Sequence, residues 1–521
     1  MPLRCSRHLC SHTIRANDAS ALQKPQWFQS HPFSSTAPRT LPAPAKKKTS
    51  QSGPPQKGVT VLRIKKKGVQ QSTAKPPAPG ERRALRNRIV LSNTNALEVP
   101  GLQELGIGAL ASETSIGAVM ALPGNLLDNL RAVEAFKPGQ GWSFFRRPAC
   151  LVRKENVELC QIIESNEGKT TRKIICGEKG VGKSVFLLQT MTMAFMKGWI
   201  VLNIPEGRGL TVGNTAYEPI PNTLPLQYSQ PAYTANLLSQ FLRANQRLLS
   251  TLKLTSKPDF NFTLAPGTTL ATLAEAGSLD EDRAWPIFEH IWRELQVPGR
   301  PPVLYCIDNI SHIMGDSKYT VLDEEQKLRP IHAHDFALIK HFIDHLSGER
   351  ELANGGMVLA ATSLSEHIKS AALDTVIKAA EARQQNEGET RVSDFYDPYE
   401  KLDMRALKAL TSDFNSSSLP LDANAAPGTP KVVDANATGE PTTEIENTET
   451  TSVVTHRDVN ELGVIRLKGI TKAEAKTILE YWATSGMVRR QIEEKFVADQ
   501  WTVAGGGVFK ELERGCLRRA V

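Results

Sequence analysis

Between residues 173 and 363 the chain sets short, unbroken apolar runs among longer stretches whose apolar positions recur every three to four residues. The unbroken runs are KIICG (173–177), WIVLNIP (199–205), PPVLYCIDNI (301–310) and GGMVLAATS (355–363), and each predicts a buried strand. Helical spacing predicts helices over 184–198, 235–249 and 284–296. Strand, loop, helix and strand within 173–205 make a βαβ unit, so the sheet is expected to be parallel with right-handed crossovers. The predicted class is α/β, a three-layer P-loop domain.

The flanks follow other patterns. LPGNLLDNLRAVEAF (122–136) has helical spacing and stops before Lys137-Pro138-Gly139. The aromatic-rich 141–153 follows, interrupted by Pro148, and Ala149–Val152 is either a short strand or a bracing extension of the nucleotide domain. Near the C-terminus, Thr471-x-x-Glu474 forms a capping box, and the helix it opens carries Ala475, Ile478, Leu479 and Trp482 on one face. GMVRRQIEEKF and GGGVFKELERG complete a small helical lid.

Charge adds two segments that the apolar pattern leaves out. Residues 1–80 hold fourteen Lys or Arg and one acid, a net +13 in a chain of +8, which leaves −5 for the rest. Residues 1–40 are Arg-rich, Ser-rich and nearly acid-free, the composition of a mitochondrial transit peptide. The Pro- and Lys-rich continuation is too poor in apolar residues to fold alone, and reads as a solvated linker or as an arm along RNA phosphates. Residues 411–455 have seven acids, one Lys and one aromatic, Phe414, and are expected to be a disordered insertion. The chain thus divides into a leader (1–40), a basic arm (41–96), a bracing segment (97–172), the P-loop domain (173–410), the insertion (411–457) and the lid (458–521). No apolar run reaches the eighteen residues of a membrane span. The seven cysteines are scattered without a C-x-x-C pair and suggest neither a zinc site nor a disulfide frame.

The candidate chemistry centres on Gly177-Glu178-Lys179-Gly180-Val181-Gly182-Lys183-Ser184, which fits the phosphate-binding pattern G-x-x-x-x-G-K-[ST]. The glycines let successive N–H groups point inward, and the next helix adds its positive N-terminal end. Lys183 is expected to reach the β- and γ-phosphates and Ser184 to ligate Mg²⁺. Asp308, ending a buried strand, is the expected second Mg²⁺ partner. The next residue is Asn309, and an amide cannot take a proton from an attacking water. Glu206 and Glu366 could substitute, although their spacing does not argue for it, so hydrolysis is expected to be slow or absent. No guanine-reading element follows the Asp308 strand, and Ser256-Lys257-Pro258-Asp259 is a chance near-match lying before it. Thr362-Ser363 is either a γ-phosphate sensor or a strand-end turn. His332, His334, His341 and His345 are read as a polar helix face in preference to a metal site.

Together, FKPGQGWSFFRRPACLVR (136–153), GEKGVGKS (177–184), GWIVLNIPE (198–206), VLYCIDNI (303–310) and ITKAEAKTILEYW (470–482) resemble the death-associated protein three family. The resemblance covers about residues 97–410 and 460–515. It implies an AAA-like P-loop domain in the head of the mitochondrial small ribosomal subunit, within the matrix. Its partners would be small-subunit ribosomal RNA, other mitochondrial ribosomal proteins and, across the interface, the large subunit. It also implies bound GTP or GDP, whereas the residues themselves leave ATP open. The other reading is a mitochondrial AAA-like or STAND-type ATPase acting as a switch or remodeller.

Overall fold

The computed structural model describes residues 89–411 and 462–518, apart from 166–167, 257–266, 323–325, 365–367, 386–391, 396 and 398. All belong to the second of two units into which the chain divides, Pro77–Val521. The leader, the arm up to residue 88, the acidic insertion and Glu366 lie outside the described residues.

Five strands form the central sheet: β1 (Thr170–Gly177), β2 (Ile200–Ile204), β3 (Val303–Asp308), β4 (Gly356–Ala361) and β5 (Leu462–Leu467). Their spatial order is β5-β1-β4-β3-β2, and every pairing is parallel. The four apolar runs thus become four parallel strands. β2, β3 and β4 are buried along their whole length, as a sheet covered on both faces requires. The fifth strand comes from the segment that the sequence reading gives to the lid. LGVIRL is short, contains Gly463 and follows the acidic insertion, so its period-two pattern is weak taken alone. Pairing with β1 makes it a sheet edge.

Side-chain alternation sorts the strands' residues between two cores. On one face Ile174, Tyr305, Ile307 and Val358 meet α3 (Pro231–Leu249), α4 (Leu270–Leu279), α5 (Glu281–Leu295), α6 (Ala337–Ser347), α7 (Ala371–Gln385) and α8 (Met404–Leu410). On the other, Ile175, Leu304, Leu359 and Leu467 meet α1 (Lys154–Glu164) and α2 (Lys183–Met196). This gives three layers, as the α/β pattern predicts. Helix α2 is buried nearly all round because the bracing segment covers its outer side. Gln189 on α2 accepts from Asn156 of α1 at 3.1 Å and donates to the Leu151 carbonyl at 2.8 Å. That encirclement explains why its apolar spacing looks mixed.

In the bracing segment the helix expected over 122–136 contracts to a 3₁₀ turn, Gly124–Leu126, and a short helix, Leu127–Ala132. Ala149–Leu151 is indeed a strand, paired antiparallel with Val119–Ala121. These strands border a third core, built on α9 (Lys472–Thr484), α10 (Glu494–Val503) and α11 (Phe509–Glu513). Thr471 and Glu474 make the predicted capping box. The five described cysteines are free and buried.

The histidines correct the sequence reading. His341 and His345 lie on α6 but are buried, not on a polar face, and His332 and His334 precede that helix. Apolar neighbours explain this: His341 and His345 pack edge-on against Trp292 of α5, at ring separations of 4.6 and 4.8 Å. His345 Nδ1 lies 2.7 Å from the His341 carbonyl, while Trp292 Nε1 donates to His345 Nε2 at 3.1 Å. The carbonyl needs a donor at Nδ1 and the indole needs an acceptor at Nε2, so a single neutral tautomer satisfies both. Burial brings the His345 pKa down from 6.5 to about 4.

The unfolded chain therefore takes up a proton below pH 6.5 that folded His345 refuses until about pH 4. Stability should fall as pH drops through that window and be unaffected by this group above it. Urea unfolding at pH 7 and pH 5 checks this. The wild-type midpoint should fall at pH 5, and the fall should be smaller in His345→Gln. An equal fall in both proteins would contradict the assignment.

Candidate nucleotide-binding site

β1 ends at Gly177, and the chain turns through 178–182 into α2, so the phosphate-type loop stands at the carboxyl end of an inner strand. In α/β sheets that end, beside a change in strand direction of travel, is where ligands bind. Gly177, Gly180 and Gly182 have φ of 144°, 86° and 105°, values that favour glycine. For Gly177 space is a second reason, since a Cβ there would overlap the Leu467 carbonyl at the end of β5. For Gly180 a Cβ would come within 2.8 Å of Lys510 Cβ.

Lys183 Nζ turns back into the loop and donates to the Gly177 and Glu178 carbonyls at 2.7 and 2.8 Å. Burial lowers the Lys183 pKa, and the Asp308 carboxylate partly opposes that shift. Ser184 Oγ donates to Asp308 Oδ2 at 2.7 Å. The sequence-predicted pair is therefore brought together from β3 and α2. A hydroxyl and a carboxylate are hard oxygen donors, which fit Mg²⁺ with water and phosphate completing its shell.

The loop, Asp308, the bracing segment and the lid together wall a cavity of about 450 Å³. Val181, Lys179, Asn309, Thr362 and Ser363 also line it. Asn309 takes a left-handed conformation (φ 65°) and opens the 3₁₀ turn Ile310–Ile313. Its carbonyl lies so close to Gly207 that a Cβ at 207 would approach it to 2.6 Å. Thr362 donates from its N–H to the Ile175 carbonyl at 2.9 Å, which fixes the end of β4. Glu206 reaches the same cavity, a placement for which its spacing gave no argument.

The sequence reading also misses two basic residues of the bracing segment. Lys137 Nζ stands 3.7 Å from Asp308 Oδ2 and donates to the Pro205 carbonyl. Arg153 donates to Val181 of the loop at 3.4 Å and to the Lys468 carbonyl just after β5 at 2.8 Å. From the lid, the Lys510 amide donates to the Gly180 carbonyl at 3.0 Å. FKPGQGWSFFRRPACLVR contains both basic residues, but no spacing rule assigns them a role. Among the described residues no group of three or more His, Cys, Asp or Glu could hold a metal.

The profile of the mitochondrial ribosomal death-associated protein 3 family matches residues 150–515, from the bracing strand through the loop to the lid. The chain belongs to that family. The small ribosomal subunit protein mS29 of Neurospora crassa is 39% identical over 461 residues, covering 87% of this chain and 86% of that protein. The mS29 of Schizosaccharomyces pombe is 27% identical over 279 residues, covering 52% and 57%. The mS29 of Bos taurus is 28% identical over 203 residues, covering 37% and 50%. The family match thus takes in every element that walls the cavity from residue 150 to 515.

Substituting Gly180 should test how closely the lid lies on the loop. Gly180→Ala puts a Cβ into the Lys510 contact at a positive φ and should cost about 1–3 kcal/mol. A melting temperature lowered by several degrees is expected, and an unchanged one would contradict the close approach.

Proposed function

We propose that the chain is a structural component of the mitochondrial small ribosomal subunit, in the matrix, that holds a purine nucleotide with Mg²⁺ as part of its fold. The family membership and the names of its relatives support the ribosomal role. The single observation that carries the nucleotide is the Ser184–Asp308 pair beside Lys183, at the carboxyl end of a parallel sheet and under a lid. Loop-bearing β1 and acid-bearing β3 have β4 between them, which supports an AAA-like P-loop domain. GTP or GDP is the proposed ligand, following the family resemblance. Ribosomal RNA, other mitochondrial ribosomal proteins and the large subunit are the proposed neighbours. Among the described residues no helix is long and apolar enough to cross a membrane.

A nucleotide in such a place stabilises without turnover. At a hundred times its dissociation constant, a ligand bound only by the folded state contributes about 2.7 kcal/mol. Asn309 beside Asp308 is consistent with holding in preference to hydrolysing. The second reading, an AAA-like or STAND-type ATPase acting as a switch or remodeller, gains one specific observation in Glu206, a carboxylate in the cavity able to orient a water.

Sedimentation of mitochondrial lysate at moderate salt tests the ribosomal role. The protein should travel with the small subunit, and migration as a free monomer or hexamer would overturn it. Lys183→Ala should lose most of its retained nucleotide and enter subunits poorly, whereas unchanged retention would remove the phosphate role of the loop. Turnover by the purified chain should lie far below the roughly 1–100 s⁻¹ of kinases. Robust turnover abolished by Glu206→Gln would establish the switch instead.

A further inference from the structure

Among the described residues three carboxylates line the cavity, and two of them, Glu206 and Asp308, sit at strand ends near the glycine-rich loop. The third is Glu513, the last residue of α11, and it belongs to a different chemical setting. Apart from Lys510 and Glu513, the lid's share of the wall is apolar and aromatic, with Ile478, Tyr481, Trp482, Phe509 and Leu517. Such a wall suits a flat heterocycle and does not suit phosphate. Among the described residues, Glu513 is the only carboxylate that the lid contributes to it.

The local backbone fixes where this carboxylate sits. Helix α11 passes directly into a π-turn, Arg514–Arg518, a conformation often found at functional sites. A π-turn sets residue i+5 over residue i, and Arg518 is five residues beyond Glu513. Arg518 donates to Glu513 Oε1 from Nε at 3.3 Å and from Nη2 at 3.0 Å, and Nη2 also reaches the Gly139 carbonyl at 2.8 Å. Gly141 packs on the same oxygen, since a Cβ there would lie 2.8 Å from it. The side chain is only 9% exposed. Among the described residues no hydrogen bond reaches Oε2. One oxygen is therefore anchored, and the other keeps its accepting capacity beside the cavity.

We propose that Glu513 is the residue that selects guanine over adenine. The proposal rests on the reading of the cavity as a nucleotide site. Guanine presents two neighbouring donors on one edge, the N1–H and the exocyclic N2 amine, and the two lone pairs of the unanchored Oε2 can accept from both. Adenine presents an acceptor at N1 and nothing at C2, so the same carboxylate would face a lone pair and remain unpaired in a buried wall. Leaving a buried acceptor unpaired is the kind of mismatch that discriminates strongly between similar ligands. The reader thus comes from the lid, which is why no guanine-reading element follows the Asp308 strand.

Titrating the full-length chain with GDP, IDP, 2′-deoxy-GDP and ADP in the presence of Mg²⁺ tests this. Wild type should bind IDP, which lacks the N2 amine, about tenfold more weakly than GDP, and ADP about a hundredfold more weakly. Glu513→Gln should lose about ten- to a hundredfold in GDP affinity while ADP affinity holds or rises. Equal wild-type affinity for GDP and ADP would overturn the assignment, and so would an equal loss of both in Glu513→Gln. A wild type that penalises 2′-deoxy-GDP but not IDP would also overturn it, placing the carboxylate on the ribose. The wild-type ladder decides even if the variant folds poorly. A wild type that binds none of the four would instead remove the nucleotide reading itself.

Discussion

The structure depends on one close approach. At Gly177 the glycine-rich loop leaves β1 alongside the Leu467 carbonyl, in a space too small for any Cβ. That proximity joins two parts of the chain separated by almost three hundred residues and by the acidic insertion. Because β5 ends there, the residues after it are delivered onto the loop. Arg153 then bridges Lys468 and Val181, and the Lys510 amide binds the Gly180 carbonyl. A loop of this kind in a switch must open and close. Here it is tied to the sheet edge, to the bracing segment and to the lid.

Function follows from that clasp. A ligand in the cavity would touch the main sheet, the bracing segment and the lid at once, so its binding energy would be shared among them. In the proposed function, this is how the loop would support assembly without powering a reaction. Lys183 satisfying loop carbonyls and Ser184 bonded to Asp308 show that the site's polar groups are already organised around one another. The proposed chemistry is retention, with Asn309 where many hydrolases place a base.

Much of the fold is legible in the sequence, for identifiable reasons. Fully buried parallel strands leave unbroken apolar runs, so β1 to β4 are visible in the sequence, and the glycine spacing of 177–182 marks the turn between β1 and α2. Asp308 could be paired with Ser184 because it ends such a strand. β5 was not visible, since a six-residue edge strand with a glycine carries too little pattern without its partner. His341 and His345 were misread because helical spacing does not reveal that Trp292 and Tyr305 close over that face. Lys137, Arg153 and Glu513 reach the site only through tertiary folding, and no local spacing could assign them.

If the proposed nucleotide binds across them, loop and lid should respond to it as one body. Amide hydrogen exchange on the full chain, with and without GDP and Mg²⁺, measures this directly. Residues 177–184 and 462–517 should gain protection together. Protection confined to the phosphate loop, with the C-terminal segment exchanging as before, would contradict it.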